Sequence, residues 1–158
     1  TQMTASGTGF GVIGTGDGNA HLVPDILSRL VALRGRDPGA PAPLALGNLD
    51  TRRDYLSVED AAEGLFAMLR RPHDAPVDVY NLCSGQEHRV ADIAEKVAAA
   101  IPIPITIRHD PALARRFDRP SQLGDPSKSW RRLAWRATTP LDLVIAEMVA
   151  ADPRFAPA

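Results

Sequence analysis

Apolar residues recur at three- and four-residue steps in four stretches of this chain, and each stretch predicts an amphipathic helix. Residues 22–33 place Leu22, Ile26, Leu27, Leu30, Val31 and Leu33 on one side, with Pro24 tolerable in the first turn. Residues 58–70 place Val58, Ala61, Ala62, Leu65, Phe66 and Leu69 on a face expected to be buried, and leave Glu59, Glu63 and Arg70 in water. Residues 90–101 turn Val90, Ile93, Ala94, Val97, Ala98 and Ile101 inward, and a last helix after Pro140 carries Leu141, Val144, Ile145, Met148 and Val149. Between the helices the pattern predicts strands: one around Val12, a short one after Arg53-Asp54, a buried one over residues 77–82, and an edge strand over 103–107 where Pro104 is tolerated.

Local signals place the ends of these elements. Ser57 is the expected N-cap of the second helix, and Asp60 three residues on would complete a capping box. Thr139-Pro140-Leu141-Asp142 predicts the same device at the last helix, with proline at its first position. Residues 34–43, with three prolines and two glycines, read as a loop, and residues 71–76 as a turn. Strands alternating with helices predict an α/β fold, arranged as a single domain over residues 1–158.

Composition then narrows the function classes. At 44% hydrophobic and 23% charged residues the 158-residue chain can bury a real core. A net charge of −1 argues against nucleic acid or an anionic membrane as the main partner. The single cysteine, Cys83, leaves no internal disulfide and no cysteine-built zinc site; at a strand end it reads as a core thiol. No run approaches the roughly 18 apolar residues of a membrane span, and TQMTASGTG has no signal-peptide core, so a cytoplasmic protein is expected.

Three motifs carry candidate chemistry. Gly9-Phe10-Gly11-Val12-Ile13-Gly14 matches G-x-G-x-x-G, but a dinucleotide cradle follows an apolar strand and opens a helix, and TQMTAS is a poor strand. Arg53, after the polar turn Gly47-Asn48-Leu49-Asp50 and beside a helix, offers a guanidinium fork suited to phosphate or carboxylate; pairing with Asp54 or Glu59 on the surface is the alternative. Arg115, Arg116 and Arg119 around Phe117 make either an anion clamp or a solvated basic loop.

G-N-L-D-x-x-R-D at 47–54, followed by Tyr55 and V-x-D-A at 58–61, resembles the carboxy-terminal half of extended short-chain dehydrogenases/reductases acting on nucleotide sugars. The resemblance is nearest to the GDP-mannose 4,6-dehydratase and GDP-4-keto-6-deoxymannose reductase group. Further along, Val79-Tyr80-Asn81 with Ser84-Gly85 is similar to its V-Y-N-x-x-S-G, and residues 119–135 to its R-P-x-E-V-x-x-L-x-G-D-x-S-K and K-x-x-L-G-W. Residues 10–18 look like its R-P-F-N-V-I-G-P-G-Q-G, with Gly11 in place of a substrate-contacting asparagine.

The resemblance implies a few mostly parallel strands with packed helices, without the cofactor-binding Rossmann half, and with the strands at Val12 and Val79 central. It implies substrate contacts from Asn48, Leu49, Arg53, Arg116, Arg119 and Gln122, the last replacing a glutamate. It places the cofactor glycines and the Tyr/Lys pair in the family's first half, so no cofactor is expected on this chain alone, and NAD(P) only where a partner supplies the Rossmann half. Three explanations follow: a split or fragmentary enzyme half, a binding module for a nucleotide sugar, or a cofactor-independent cyclase, lyase or isomerase. For the last, the candidate acids and bases are Asp17, His21, Asp54, Tyr80, Glu87 and His88. A bare sheet edge would invite another chain, so a homodimer or hetero-partner is expected.

Overall fold

The computed structural model describes residues 11–17, 21–33, 41–71, 78–101 and 104–155. Expectations for Gly9, Phe10, Gly18, most of the 34–43 loop, most of the 71–76 turn, Pro102 and Ile103 lie outside these residues.

The chain order is β1 (Gly11–Ile13), α1 (Leu22–Ala32), β2 (Ala42–Leu46), β3 (Arg52–Ser57), α2 (Val58–Arg70), β4 (Glu87–Arg89), α3 (Val90–Ala99), β5 (Ile105–His109), α4 (Ser127–Leu133) and α5 (Leu141–Ala151). Two small sheets form among the described residues. β3 lies between β1, parallel to it with Gly11 opposite Tyr55, and β4, antiparallel with Arg53 opposite His88. β2 and β5 pair in parallel from Ala42 opposite Ile105 to Leu46 opposite His109.

The main core forms where α1, α3 and α5 lay their apolar stripes together over β2. Ile26, Leu30, Leu44, Ile93, Val97 and Ile145 are fully or almost fully buried there. These are the stripes expected from helical spacing, except that α1 also buries Val23 and leaves Val31 outside the core. β2 was hidden by its prolines: Ala42, Leu44 and Leu46 point inward and Pro43 and Ala45 outward, a period of two inside a stretch read partly as loop. Pro43 is harmless because β2 pairs on one side only among the described residues.

The second helix has the expected ends and cap, with the Ser57 hydroxyl accepting the Asp60 N–H at 3.0 Å. Its buried face is not the expected one. Asp60, Gly64 and Met68 point inward, while Val58, Leu65, Phe66 and Leu69 are 43–66% exposed. Gly64 explains the rotation: a Cβ there would stand 2.8 Å from Leu82 and 3.0 Å from Trp135, so α2 seats its smallest residue on a second core of Leu56, Met68, Tyr80, Leu82 and Trp135. Nor does Asp60 close the capping box. Its carboxylate accepts the N–H groups of Thr138 at 3.2 Å and Thr139 at 2.9 Å, so α5 starts after Pro140 with no side-chain cap, and Asp142 pairs with Lys96 at 2.5 Å.

The strand expected over 77–82 is likewise corrected. Its described part buries Tyr80, Leu82 and Cys83 and leaves Val79 exposed, and it belongs to neither sheet. Side chains from the C-terminal third replace a ladder there. Lys128 donates to the Val79 carbonyl at 2.6 Å, Ser129 to the Asn81 carbonyl, and the Asn81 amide donates to the Asp125 carbonyl at 3.2 Å. α4, not foreseen as a helix, ends at Ala134 with φ +52°, a left-handed conformation that costs a residue with a Cβ about 1 kcal/mol. No helix among the described residues is long and apolar enough to cross a membrane.

Candidate functional site: an arginine-lined cleft

A cleft of about 590 Å³ opens where the C-terminal end of β1, the first turns of α1, and β3 meet the segment after β5. β1 contributes Gly11 and Ile13; α1 and its approach contribute His21, Asp25 and Arg29. The turn before β3 adds Asn48 and Thr51, and β3 itself adds Arg53 and Tyr55. Arg115, Asp118 and Gln122 close the far wall.

Arg53 is held from several sides. Its Nη1 donates to the carbonyls of Arg52 and Arg119, both at 2.7 Å, and its Nη2 pairs with the Asp118 carboxylate. The wall that carries Asp118 is itself fixed by backbone bonds along β3: Arg52 N–H to the Pro120 carbonyl at 2.8 Å, Gln122 N–H to the Arg52 carbonyl at 3.1 Å, and Asp54 N–H to the Gln122 carbonyl at 3.0 Å. The guanidinium is therefore pre-positioned, and neither Asp54 nor Glu59 is its partner. On the α1 side Arg29 is tied to Asp25 at 2.8 Å and to the Ala45 carbonyl at 3.2 Å. Arg115 has no hydrogen bond or ion pair among the described residues.

Tyr55 lines the same cleft. Burial pushes its hydroxyl up to about 12 against the opposing pull of Arg53 and Arg115, so it remains a neutral donor throughout the working pH range. Its ring needs Gly11: a Cβ at that position would lie 2.9 Å from two ring carbons. Gly14 similarly leaves room for Val58, whose Cγ1 would stand 2.4 Å from an added Cβ. The glycine run thus spans β1 rather than following it, and its described glycines serve packing. Gly11 gives its space to the Tyr55 ring and Gly14 to Val58.

Of the residues expected to bind substrate, the cleft gathers Asn48, Arg53 and Gln122. Leu49 packs against the main core, and its carbonyl accepts the Ala91 N–H at 3.1 Å. Arg116 lies over the Phe117 ring at 5.6 Å, and Arg119 is exposed; neither side chain lines the cleft. Of the candidate acids and bases, only His21 lines it. Asp17 lies in the turn after β1, with its N–H directed to the Gly14 carbonyl, and Glu87 accepts the Ser121 hydroxyl. His88 sits in the ladder opposite Arg53.

Asp54 and Tyr80 have structural tasks. The Asp54 carboxylate, 1% exposed, accepts Ser84 N–H at 3.0 Å, Ser84 O–H at 2.6 Å, Gly85 N–H at 2.9 Å and Gly124 N–H at 3.2 Å. Tyr80 donates to Asp78 at 2.6 Å, and the Lys128 ammonium lies over its ring at 4.6 Å, bonded to the same carboxylate. That lysine hydrogen bond, reinforced by Tyr80, brings Asp78 down to about 2. Burial, with the charges of Asp54 and Asp125, pushes the Cys83 thiol up to about 12, which leaves it protonated.

Sequence reading missed Tyr55, Asp25, Arg29 and Asp118 as cleft residues, and left Arg115 open between an anion clamp and a solvated loop. The Asp25/Arg29 pair had a signal, an i,i+4 spacing of opposite charge on a helix. The Arg53–Asp118 contact had none, because 65 residues separate the partners.

The fold and the sequence together define a class: this is part of the fold of extended short-chain dehydrogenases/reductases. A solved structure of RMD from Pseudomonas aeruginosa, complexed with NADPH, superposes with a TM-score of 0.75 at 21% identity, over 90% of this chain and 45% of that one. UDP-glucose 4-epimerase from Bifidobacterium longum, in complex with NAD+ and UDP, gives 0.68 at 22% identity, over 93% and 47%. Within that class, residues 33–148 match the GDP-mannose 4,6 dehydratase family, and the chain belongs to it.

Its curated relatives include GDP-6-deoxy-D-mannose reductase of Pseudomonas aeruginosa, 30% identical over 93 residues that make up 59% of this chain and 30% of the relative. GDP-mannose 4,6 dehydratase of Dictyostelium discoideum is 28% identical over 148 residues, 82% of this chain and 40% of that protein. The chain therefore spans well under half the length of the curated relatives it matches.

Proposed function

We propose that the cleft binds a nucleotide-linked sugar of the GDP type, as the substrate-holding half of a dehydratase, epimerase or reductase. The observation that carries this reading is Arg53, a guanidinium fixed by two carbonyls at the cleft wall beside Asn48, Gln122 and the unengaged Arg115. A fixed fork of this kind suits a diphosphate, whose oxygens accept charge-assisted bonds, and the neutral Tyr55 hydroxyl adds a donor for a sugar. Family membership and the GDP-linked substrates named for several relatives support the choice of ligand. The reading of a cofactor-free enzyme draws less support, because Asp54 and Tyr80 are occupied in structural contacts.

Isothermal titration with GDP and GDP-mannose tests the reading. Arg53→Ala is expected to weaken both by at least about tenfold, since each charge-assisted bond contributes roughly 1.5–3 kcal/mol. Absence of binding by the parent chain overturns it.

In this reading NAD(P) is held by a dinucleotide-binding fold, either joined in the same polypeptide or docked from another, and the docking face is α2. Val58, Leu65, Phe66 and Leu69 form its exposed apolar stripe next to the 44% exposed Val12 of β1, which has a paired neighbour on one side only among the described residues. The relatives' greater length matches such an occupant. Charged substitution at Phe66 and Leu69 should abolish association of this chain with that fold in light scattering; association that survives it would remove α2 from the interface.

A further inference from the structure

We propose that Asp118 is a built-in anion that sets which ligands enter the cleft: it holds Arg53 by default, and only a group with enough charge to engage Arg53 and Arg115 together displaces it. This rests on the reading of the cleft as the substrate site. It goes further in making an acidic residue the selector and Arg115 the receiving cation.

Asp118 bonds Arg53 Nη2, with both side chains about four-fifths shielded from water. Nη1 is already committed to the Arg52 and Arg119 carbonyls. Arg53 thus stands in the cleft with its charge balanced by its own chain.

A tethered carboxylate competes at the effective concentration of an intramolecular partner, in the millimolar range or above. A free carboxylate offers Arg53 nothing that Asp118 does not already give, so it gains little by exchange. Arg115 changes the balance, because it lines the same cleft and has no partner among the described residues. Tyr55 lines the same cleft and feels both guanidiniums. A diphosphate has charge for both cations at once, whereas a monoanion can satisfy one. Arg119, named by the sequence resemblance for this task, points its side chain outside the cleft and contributes its carbonyl to Arg53.

The test uses inorganic diphosphate, inorganic phosphate and acetate as probes in isothermal titration of the whole chain and three variants. The parent chain is expected to bind diphosphate and not acetate. Asp118→Asn should tighten diphosphate by about tenfold, the worth of one displaced charge-assisted bond, and bring inorganic phosphate into the measurable range. Arg115→Gln should weaken diphosphate by about tenfold. Arg119→Gln should stay within about twofold, as expected of an exposed charge.

Weaker or unchanged diphosphate binding in Asp118→Asn overturns the selector role, provided its thermal midpoint shows it folded. A larger loss in Arg119→Gln than in Arg115→Gln overturns the choice of cation, and both of those side chains are exposed, so this arm is readable even where Asp118→Asn unfolds. Arg115-dependent diphosphate binding without GDP-mannose binding upholds this inference and overturns the proposed function. GDP-mannose binding that depends on Arg119 does the reverse.

Discussion

Asp54→Ala is expected to lower unfolding stability by about 3–5 kcal/mol, among the largest effects a single substitution can have in this chain. The carboxylate is the common acceptor for Ser84, Gly85 and Gly124. Removing it leaves three backbone N–H groups without their acceptor at once, that of Gly124 buried and those of Ser84 and Gly85 partly so, and an orphan costs roughly 1–3 kcal/mol when buried. Asp54→Asn keeps the shape but turns an NH₂ toward N–H donors, so it should recover only part of the loss. Denaturant titration at pH 7 measures both, with the slope unchanged if the native state keeps its compactness. A variant as stable as the parent would mean that Asp54 is free for another task.

The second large effect is acid sensitivity through Asp60. Burial alone would raise this carboxyl, but the N–H groups of Thr139 and Thr138 and the Thr139 and Ser57 hydroxyls outweigh it, and the folded value lies below the ordinary 3.8. A group depressed on folding contributes stability above its unfolded value, and that contribution disappears as pH falls through the folded value. Asp60→Asn should therefore be less stable than the parent by about 2–3 kcal/mol near neutrality, where a charged acceptor is lost from the junction with α5. Below about pH 4 the gap should close. Thermal midpoints from pH 7 down to pH 2 check this; a gap that stays constant with pH would assign the loss to packing.

The α/β class and most of the stripes of α1, α3 and α5 were legible because each depends on a periodic local pattern, and the family was legible because its motifs are contiguous in sequence. The buried stripe of α5 is the one expected at Val144, Ile145, Met148 and Val149. α2 shows the limit of that logic. Its limits follow from Ser57 and the helical period, but which face turns inward was decided by Gly64 meeting Leu82 and Trp135, contacts no local window contains. Asp60 likewise looked like one half of a local cap, and Thr138 and Thr139 claim it from 78 and 79 residues away. At the cleft, Arg53 announced itself through its motif. Asp118 did not stand out, and Arg115 stood only as one of three loop arginines, since neither an ion pair across 65 residues nor the direction of a loop arginine is written in spacing. The partners of Tyr80 and Asp54 were hidden for the same reason, since the Ser84, Gly85 and Gly124 donors to Asp54 and the Lys128 over Tyr80 lie 30 to 70 residues away in sequence.

The bonds that converge on β3 also impose an order in time. Arg52 and Asp54 receive backbone partners from Pro120 and Gln122, and the Asp54 carboxylate takes its last N–H from Gly124, 70 residues downstream. During synthesis, at roughly 5–20 residues per second, the arginine-bearing strand leaves the ribosome seconds before the segment that completes it. Until then Arg53 lacks both the Arg119 carbonyl and the Asp118 carboxylate. The wall that gives the cleft its charge is the last part of it to be made.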